Sequence, residues 1–263
     1  MKFNKKSILL LALASFLTSC NINGIDGIDG IDGKDGKDGK DGTNSQTLTG
    51  DIVGFVGLYE VDGNKSLIQA GVSITVEGTT KSAITDVNGR FVLSGITTGI
   101  YNLVFSKAGY GTYKIISFQF VGGGTAYSGG TAYMGYPVLT KIANFNISGL
   151  TATSSVGVIN LNGTISGTVP TPYASFVTFI SSNALVSSQP SNYESFKILY
   201  INTSSSSVTT SFGSTDLVKG QTIYLRTYAI PGIYMYYPDI VTGRYYFPSL
   251  GPNPSNVVSV IVK

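Results

Sequence analysis

Ala70-Gly71-Val72-Ser73-Ile74-Thr75-Val76-Glu77-Gly78 decides the fold, with Thr85-Asp86-Val87-Asn88-Gly89-Arg90-Phe91 shortly after it. In the first segment apolar residues alternate with polar ones, and this period of two predicts a β-strand with one face directed inward. The Asn-Gly pair of the second segment is a strong turn signal. The two segments therefore predict a strand followed by a tight turn. Charged residues make up only 12% of the chain and Ser, Thr, Gly and Tyr are abundant, which favours strands and turns over helices and predicts the all-β class.

The same pattern of strand and turn extends in both directions. The apolar run Ile52 to Tyr59 ends near Asp62-Gly63, a further turn signal. Other strands are expected at 90–93, 100–107 and 110–121, with a turn around Gly95 to Gly99. Together these segments predict a small β-sandwich over residues 48–121.

The two quoted motifs, followed by Gly99-Ile100-Tyr101 and Gly109-Tyr110, resemble the carboxypeptidase regulatory-like domain, a transthyretin-like β-sandwich. The resemblance implies an accessory module without catalysis, of the kind found in outer-membrane receptors or beside enzymes. Thr98 departs from the family, which often has proline before this glycine. Asp86 is interpreted as a side chain that caps a hairpin turn, in preference to a metal ligand or a catalytic acid.

Residues 122–143 interrupt the pattern with a repeat, in which Gly123-Gly124-Thr125-Ala126-Tyr127-Ser128 recurs almost unchanged at 129–134. Two copies are too few for a solenoid, and no Gly-Lys-Ser/Thr follows that would indicate a phosphate loop. We expect a Gly/Tyr-rich loop, then a strand or linker from Pro137 to Ala143.

A second β-sandwich is predicted over residues 144–263, where short strand-like segments alternate with turn residues. The expected strands are 157–161, 164–169, 175–181, 196–201, 208–212, 222–230, 243–247 and 257–262. In the segment 222–230 the face of Ile223, Leu225 and Thr227 is expected to lie in the core.

Leu217 to Ala229 and Gly243 to Phe247 resemble the end of a fibronectin type III-like domain, as found in lipoproteins of the Bacteroidota. Lys219 stands where that family usually has proline, and Ile223 stands where its corner tyrosine is expected. These departures affect the exact topology and leave the prediction of a sandwich intact.

The first 20 residues predict the destination of the chain. A basic start is followed by an apolar core from Ile8 to Leu17 that is too short to span a membrane. The end of this segment, Leu17-Thr18-Ser19-Cys20, resembles the lipobox of a bacterial lipoprotein signal peptide over residues 1–19. The resemblance implies cleavage before Cys20, acylation of that cysteine with palmitate-type chains, and stable anchoring in the outer membrane. The residue after the cysteine is Asn21, and not the aspartate that retains lipoproteins in the inner membrane. Whether the protein lies on the cell surface or on the periplasmic face of the outer membrane stays open. An ordinary secretory signal peptide is the weaker alternative.

Residues 20–47 form the lipidated cysteine and a tether, in which Gly-x-Asp repeats from Gly24 to Asp41 and Gly42 closes the run. A glycine at every third residue fits a collagen-like triple helix, but six triplets without proline favour a flexible tether. The aspartates lack the spacing and the closing glutamate of a calcium loop of the EF-hand kind.

Composition excludes several functions. Removal of residues 1–19 leaves 14 of the 17 basic side chains against 14 acidic ones, so no basic excess remains for binding nucleic acid. Histidine is absent and Cys20 is the single cysteine, which excludes His-dependent nucleophilic catalysis, common zinc sites and an intrachain disulfide. We expect no cofactor, no metal and no enzymatic activity.

A group of tyrosines is the candidate ligand site: Tyr234, Tyr236, Tyr237, Tyr245 and Tyr246. Exposed tyrosines stack on sugar rings or form interaction hot spots, whereas strand alternation would direct about half of them into the core. Glu194 and Asp239 are the residues to consider as a glycosidase pair, although nothing in the sequence brings them together.

The sequence thus predicts a membrane-anchored binding or scaffold protein of the cell envelope, with an envelope protein or a polysaccharide as its partner. A carbohydrate-binding accessory lipoprotein is the alternative, and an unrecognised hydrolase is a remote one.

Overall fold

Strands and turns make up almost the whole structure, which is a computed structural model that describes residues 48–123, 131–134, 136–204 and 206–263. The predicted signal peptide, the lipobox Leu17 to Cys20 and the Gly-x-Asp tether lie outside the described residues, as does most of the first copy of the six-residue repeat. The strands are β1 (Thr49–Phe55), β2 (Gly57–Tyr59), β3 (Ser73–Val76), β4 (Ser82–Ile84), β5 (Arg90–Thr97), β6 (Gly99–Ser106), β7 (Tyr113–Phe120), β8 (Thr131–Met134), β9 (Val138–Thr140), β10 (Phe145–Ser155), β11 (Val158–Gly167), β12 (Tyr173–Ser181), β13 (Ser195–Asn202), β14 (Ser207–Gly213), β15 (Thr222–Ile230), β16 (Tyr237–Pro238), β17 (Tyr245–Tyr246) and β18 (Val258–Ile261). A short 3-10 turn covers Pro190–Asn192.

The first sandwich packs the sheet β5-β1-β8 against the antiparallel sheet β4-β3-β6-β7. Val72, Ile74 and Val76 are fully buried, as their alternation predicts. The rings of Phe91 and Phe105 meet edge to face across the two sheets, with 5.9 Å between their centroids. The two sheets thus share one apolar core.

The second sandwich packs β10-β11-β14 against β13-β12-β15-β18, and every pairing in both sheets is antiparallel. Phe145 on β10 contacts Phe176 on β12 edge to face at 5.3 Å. Ile223 and Leu225 are buried in the same core, which confirms the predicted inward face of β15. The all-β class is therefore confirmed.

The opposite face of β15 is also covered, which the sequence analysis did not predict. Tyr228 and Ile230 are buried with Phe179, Tyr193 and Phe247 in a second apolar layer. This outer layer is supplied partly by the long segments between β12 and β13 and between β15 and β18, because they fold back over the sheet. The candidate tyrosines lie in the second of these segments.

Several expected elements differ in the structure. The predicted turn between 157–161 and 164–169 is absent, because β11 runs through Gly163. A Cβ on Gly163 would meet Ile147 Cγ1 at 2.8 Å, so this glycine permits close approach of β10 and does not make a turn. The apolar run Ile52 to Tyr59 is divided between β1 and β2, and the strand expected from Tyr110 begins at Tyr113. The segment expected at 243–247 reduces to the two residues of β17, and β4 and β10 were not predicted from the sequence.

Residues 122–143, expected to form a loop and then a strand or linker from Pro137 to Ala143, contribute two strands to the first sandwich: β8 lies where the loop is expected, and β9 falls within the second segment. β8 lies parallel to β1, and β9 lies parallel to β2. Parallel partners are joined by long connections, so no local turn signal reveals them.

The two sandwiches belong to one compact unit over residues 46–263 and contact each other directly. Thr140 Oγ1 donates to Ser249 Oγ at 2.7 Å in a buried contact, and the Ser249 hydroxyl donates to the Thr140 carbonyl at 3.1 Å. A Cβ on Gly111 would collide with the backbone of Pro248, so glycine allows this close approach. In the part of the chain that the structure describes, no helix has the length and apolarity that a membrane crossing requires.

Candidate functional site

The candidate tyrosines lie in and beside a short hairpin that the structure forms from β16 and β17. Tyr237 pairs with Tyr246, and Pro238 pairs with Tyr245. Strand alternation separates the rings into two groups, with Tyr237 stacked on Tyr246 at 5.3 Å and Tyr236 against Tyr245 at 4.6 Å. The hairpin therefore presents two aromatic surfaces with different surroundings.

The group of Tyr237 and Tyr246 packs towards the first sandwich. Tyr113 on β7 meets the Tyr237 ring edge to face at 5.9 Å. Burial raises the pKa of both Tyr113 and Tyr237. A cavity of about 220 Å³ beside these rings is lined also by Glu77 and Lys114, which form an ion pair at 2.7 Å. This group joins the two sandwiches.

The other group extends along the outer layer of the second sandwich and is exposed. We call it the tyrosine strip, and it consists of Tyr200, Tyr234, Tyr236 and Tyr245. The side chains of Tyr200, Tyr236 and Tyr245 are 63%, 43% and 37% exposed, and Tyr234 is half-buried. The hydroxyl oxygens of Tyr200 and Tyr234 lie 3.5 Å apart. Partial burial, followed by the contact with Tyr200, raises the pKa of Tyr234 to about 12, so its hydroxyl stays protonated at neutral pH.

Phenylalanine rings of the outer layer, of which Phe179 and Phe247 are buried and Phe196 is half-buried, support the strip from below. Phe196 lies 6.4 Å from Tyr245 and 5.0 Å from Phe247, and Phe247 lies 5.6 Å from Tyr236. Phe179 packs against both of these phenylalanines at 6.5 and 5.5 Å. A packed aromatic platform of this kind holds the exposed rings in place without a ligand.

The hydroxyl of Tyr193 fixes the hairpin to the rest of the layer. It donates to the carbonyl of Tyr245 at 2.8 Å and accepts from the N–H of Tyr245 at 2.7 Å. Both backbone groups of one strip residue are thereby satisfied by a single side chain. Burial raises the pKa of Tyr193, which keeps this hydroxyl in its neutral form.

Two cavities share part of their lining, and one of them borders the strip at Tyr245. One, of about 270 Å³, is lined by the polar residues Ser182, Asn183, Ser191 and Asn192. The other, of about 320 Å³, is lined by Phe196, Gly243 and Tyr245. Tyr193, Glu194 and Arg244 line both of them.

The structure does not bring Glu194 and Asp239 to one cavity. Glu194 accepts hydrogen bonds from the N–H and the hydroxyl of Ser182, which lower the pKa of its carboxyl. Asp239 lines the cavity on the other side of the hairpin and accepts from the N–H and the hydroxyl of Thr242. The two carboxylates thus cap different loops.

Asp86 caps its own turn, as the sequence analysis expects. Its Oδ1 accepts from the N–H groups of Asn88 and Arg90, at 2.9 Å each. The turn does not close a hairpin, because β4 and β5 belong to opposite sheets. Across the described residues, no group of three or more acidic or cysteine side chains is arranged to hold a metal ion.

Sequence reasoning missed three residues of this site: Tyr193, Phe196 and Tyr200. The alternation of Phe196, Ile198 and Tyr200 along β13 is visible in the sequence and indicates a shared face. The segment that carries Tyr193 gives no such signal, because it has no regular period.

Comparison with protein families shows that residues 60–119 fit the model of the CarboxypepD_reg-like domain. The first sandwich contains a carboxypeptidase regulatory-like domain. This confirms the resemblance seen in the segments 70–78 and 85–91. The fibronectin type III-like character of the second sandwich stays a prediction.

No curated protein sequence matches the chain. Among solved structures, a DUF3823 family protein from Parabacteroides merdae is similar at 14% identity and a TM-score of 0.30, covering 82% of this chain and 100% of its own. A proposed carbohydrate-binding protein from Bacteroides uniformis is 14% identical at a TM-score of 0.27, covering 81% and 99%. A chain of a type II cohesin–X-dockerin complex from Acetivibrio cellulolyticus is 22% identical at a TM-score of 0.29. The match covers 36% of this chain and 58% of the length of that chain.

Proposed function

We propose that the chain is a lipid-anchored, non-catalytic binding protein of the bacterial outer envelope and that the tyrosine strip binds polysaccharide. The observation that carries the ligand class is the row of exposed tyrosine rings above a packed aromatic layer, bordered by polar cavities. The C–H face of a sugar ring packs on the electron-rich face of an aromatic ring, while its hydroxyls need polar partners nearby.

The rings that contact the ligand are those of the strip, above all Tyr236 and Tyr245, whose centroids lie 4.6 Å apart. Because each packs against a phenylalanine of the outer layer, Tyr236 on Phe247 and Tyr245 on Phe196, little side-chain entropy is lost when a sugar packs on it.

Binding of polysaccharides by the full chain, purified in detergent, tests this proposal. The double variant Tyr236→Ala/Tyr245→Ala is expected to bind at least about tenfold more weakly, since each ring contributes about 0.5–1.5 kcal/mol beyond its buried area. Tyr136→Ala is the matched control, because Tyr136 on the first sandwich has the same exposed fraction as Tyr236, 43%. Equal binding by the double variant and the control would refute the assignment of the strip.

The anchor is proposed from the lipobox Leu17 to Cys20. Two or more acyl chains on Cys20 hold a protein stably on a membrane. Cys20→Ala is expected to move the protein from the membrane fraction to the soluble fraction of fractionated cells. Retention of this variant in the membrane would contradict the acyl anchor.

A second function, an accessory subunit of a larger envelope complex, is favoured by the family match at 60–119, because the resemblance to this domain implies an accessory module. A cross-linked pull-down of the full chain from native envelopes separates the two functions. A stoichiometric outer-membrane protein in the pull-down supports the subunit. Recovery of polysaccharide without a protein partner supports the glycan-binding strip.

A further inference from the structure

Glu194 and Arg244 face a common cavity next to the strip without forming an ion pair. They line both cavities described above, one of which is lined also by Tyr245, and the field of Arg244 contributes to lowering the pKa of Glu194. Within the described residues, the ion pairs join other side chains. A carboxylate and a guanidinium that are close yet unbonded leave room for a group between them.

Each of the two side chains is held in place by its neighbours. The Arg244 guanidinium donates to the carbonyl of Pro190 at 2.8 Å and lies 5.8 Å from the centre of the Tyr193 ring. Glu194 Oε1 accepts the N–H of Ser182 at 3.0 Å. Further guanidinium N–H groups and the second carboxylate oxygen, Oε2, have no hydrogen-bond partner from the described parts of the chain.

The charges of this site balance, since Glu194 and Arg244 are its only charged lining residues among those described. A uronic acid would bring its carboxylate towards Glu194, and an amino sugar would bring its ammonium towards Arg244. Two adjacent hydroxyls on a neutral sugar suit both residues, because one hydroxyl donates to the carboxylate while the other accepts from the guanidinium.

We propose that Glu194 and Arg244 bind a vicinal diol of a neutral sugar residue whose ring packs against Tyr245. The polysaccharide is thereby assigned to the neutral class. This inference rests on the proposed function of the strip and adds the chemical class of its ligand.

The test compares binding of the full chain to neutral oligosaccharides (glucan, mannan, galactan and xylan), to uronic acid oligosaccharides and to amino-sugar oligosaccharides on one array. We expect the unmodified chain to bind at least one neutral probe about tenfold or more tightly than any charged one. Arg244→Gln is expected to weaken neutral binding about tenfold, because a hydrogen bond from a charged donor is lost. Glu194→Gln keeps an acceptor for Ser182 and is expected to shift the preference about tenfold towards uronic acids.

Two other outcomes overturn the inference, and they differ in what they say of the strip. If Tyr236→Ala abolishes binding while the Glu194 and Arg244 variants keep the binding and the preference of the unmodified chain, the strip stands and the diol site fails. If the unmodified chain prefers charged probes, the strip likewise stands and the diol site fails. If no probe binds, or if Tyr236→Ala binds every probe as well as the unmodified chain, the function of the strip fails together with the diol site.

Discussion

A single side chain adds to the backbone hydrogen bonds where the chain passes from one sheet of the first sandwich to the other. Asp86 is the example, because it accepts two backbone N–H groups in the turn between β4 and β5. Asp86→Ala removes both hydrogen bonds and is expected to lower the free energy of unfolding by about 1 kcal/mol. Urea denaturation of the full chain measures this change.

Asp86→Asn separates the capping role from a role for the charge. Asparagine keeps an oxygen that accepts the same N–H groups, so its stability is expected to stay within about 0.5 kcal/mol of the unmodified chain. A loss as large as that of Asp86→Ala would show that the negative charge is needed, and the interpretation of Asp86 as a cap would be wrong.

At the scale of elements, the hairpin β16-β17 depends on Tyr193, which lies outside it. Tyr193→Phe keeps the buried ring and removes the hydroxyl that satisfies the N–H and the carbonyl of Tyr245. Because two backbone groups lose a partner, we expect a loss of about 1–3 kcal/mol in the free energy of unfolding and weaker binding at the strip.

Tyr228→Phe is the control for this prediction. Its ring lies in the same layer, 5.6 Å from Phe179, but no hydrogen bond of its hydroxyl joins it to the described residues. This variant should unfold at nearly the same urea concentration as the unmodified chain. An equal loss in both variants would mean that the ring environment, and not the pair of hydrogen bonds, holds the hairpin.

The elements also show what local sequence predicts. Val72, Ile74 and Val76 have large side chains on a strict period of two, so their strand and its buried face are predictable. β10 ends in Thr151-Ala152-Thr153-Ser154-Ser155, whose small polar residues give no apolar period. Its strand is stabilised by pairing with β11, which is a contact in space. Likewise the tyrosines of the hairpin are close together in the sequence and can be recognised there. The polar cavity beside them is formed by Glu194 and Arg244, which are fifty positions apart in the sequence.

At the scale of the whole molecule, stability near neutral pH is expected to be constant, because the sequence contains no histidine to titrate there. At acidic pH, the stability depends on ion pairs. Hydrogen bonds from Lys141 to Glu60 and from Lys197 to Asp216 lower the pKa values of these carboxyls below those of the unfolded chain. The stability that these groups contribute is present above a pH of about 4 and is lost as the pH falls through the lowered pKa values.

Towards alkali, the buried tyrosines determine the limit of stability. Burial raises the pKa values of Tyr113, Tyr193 and Tyr237, and it raises that of Tyr234 to about 12, whereas tyrosine in an unfolded chain ionises near 10. The folded protein therefore holds these protons more tightly, and the stability they contribute is present below a pH of about 10 and is lost as the pH rises towards 12. We expect the urea midpoint to be level between pH 6 and 9 and to fall above pH 10, together with the ultraviolet signal of tyrosinate. A midpoint that stays level up to pH 12 would show that these tyrosines are exposed to solvent, and the description of a packed aromatic layer under the strip would be wrong.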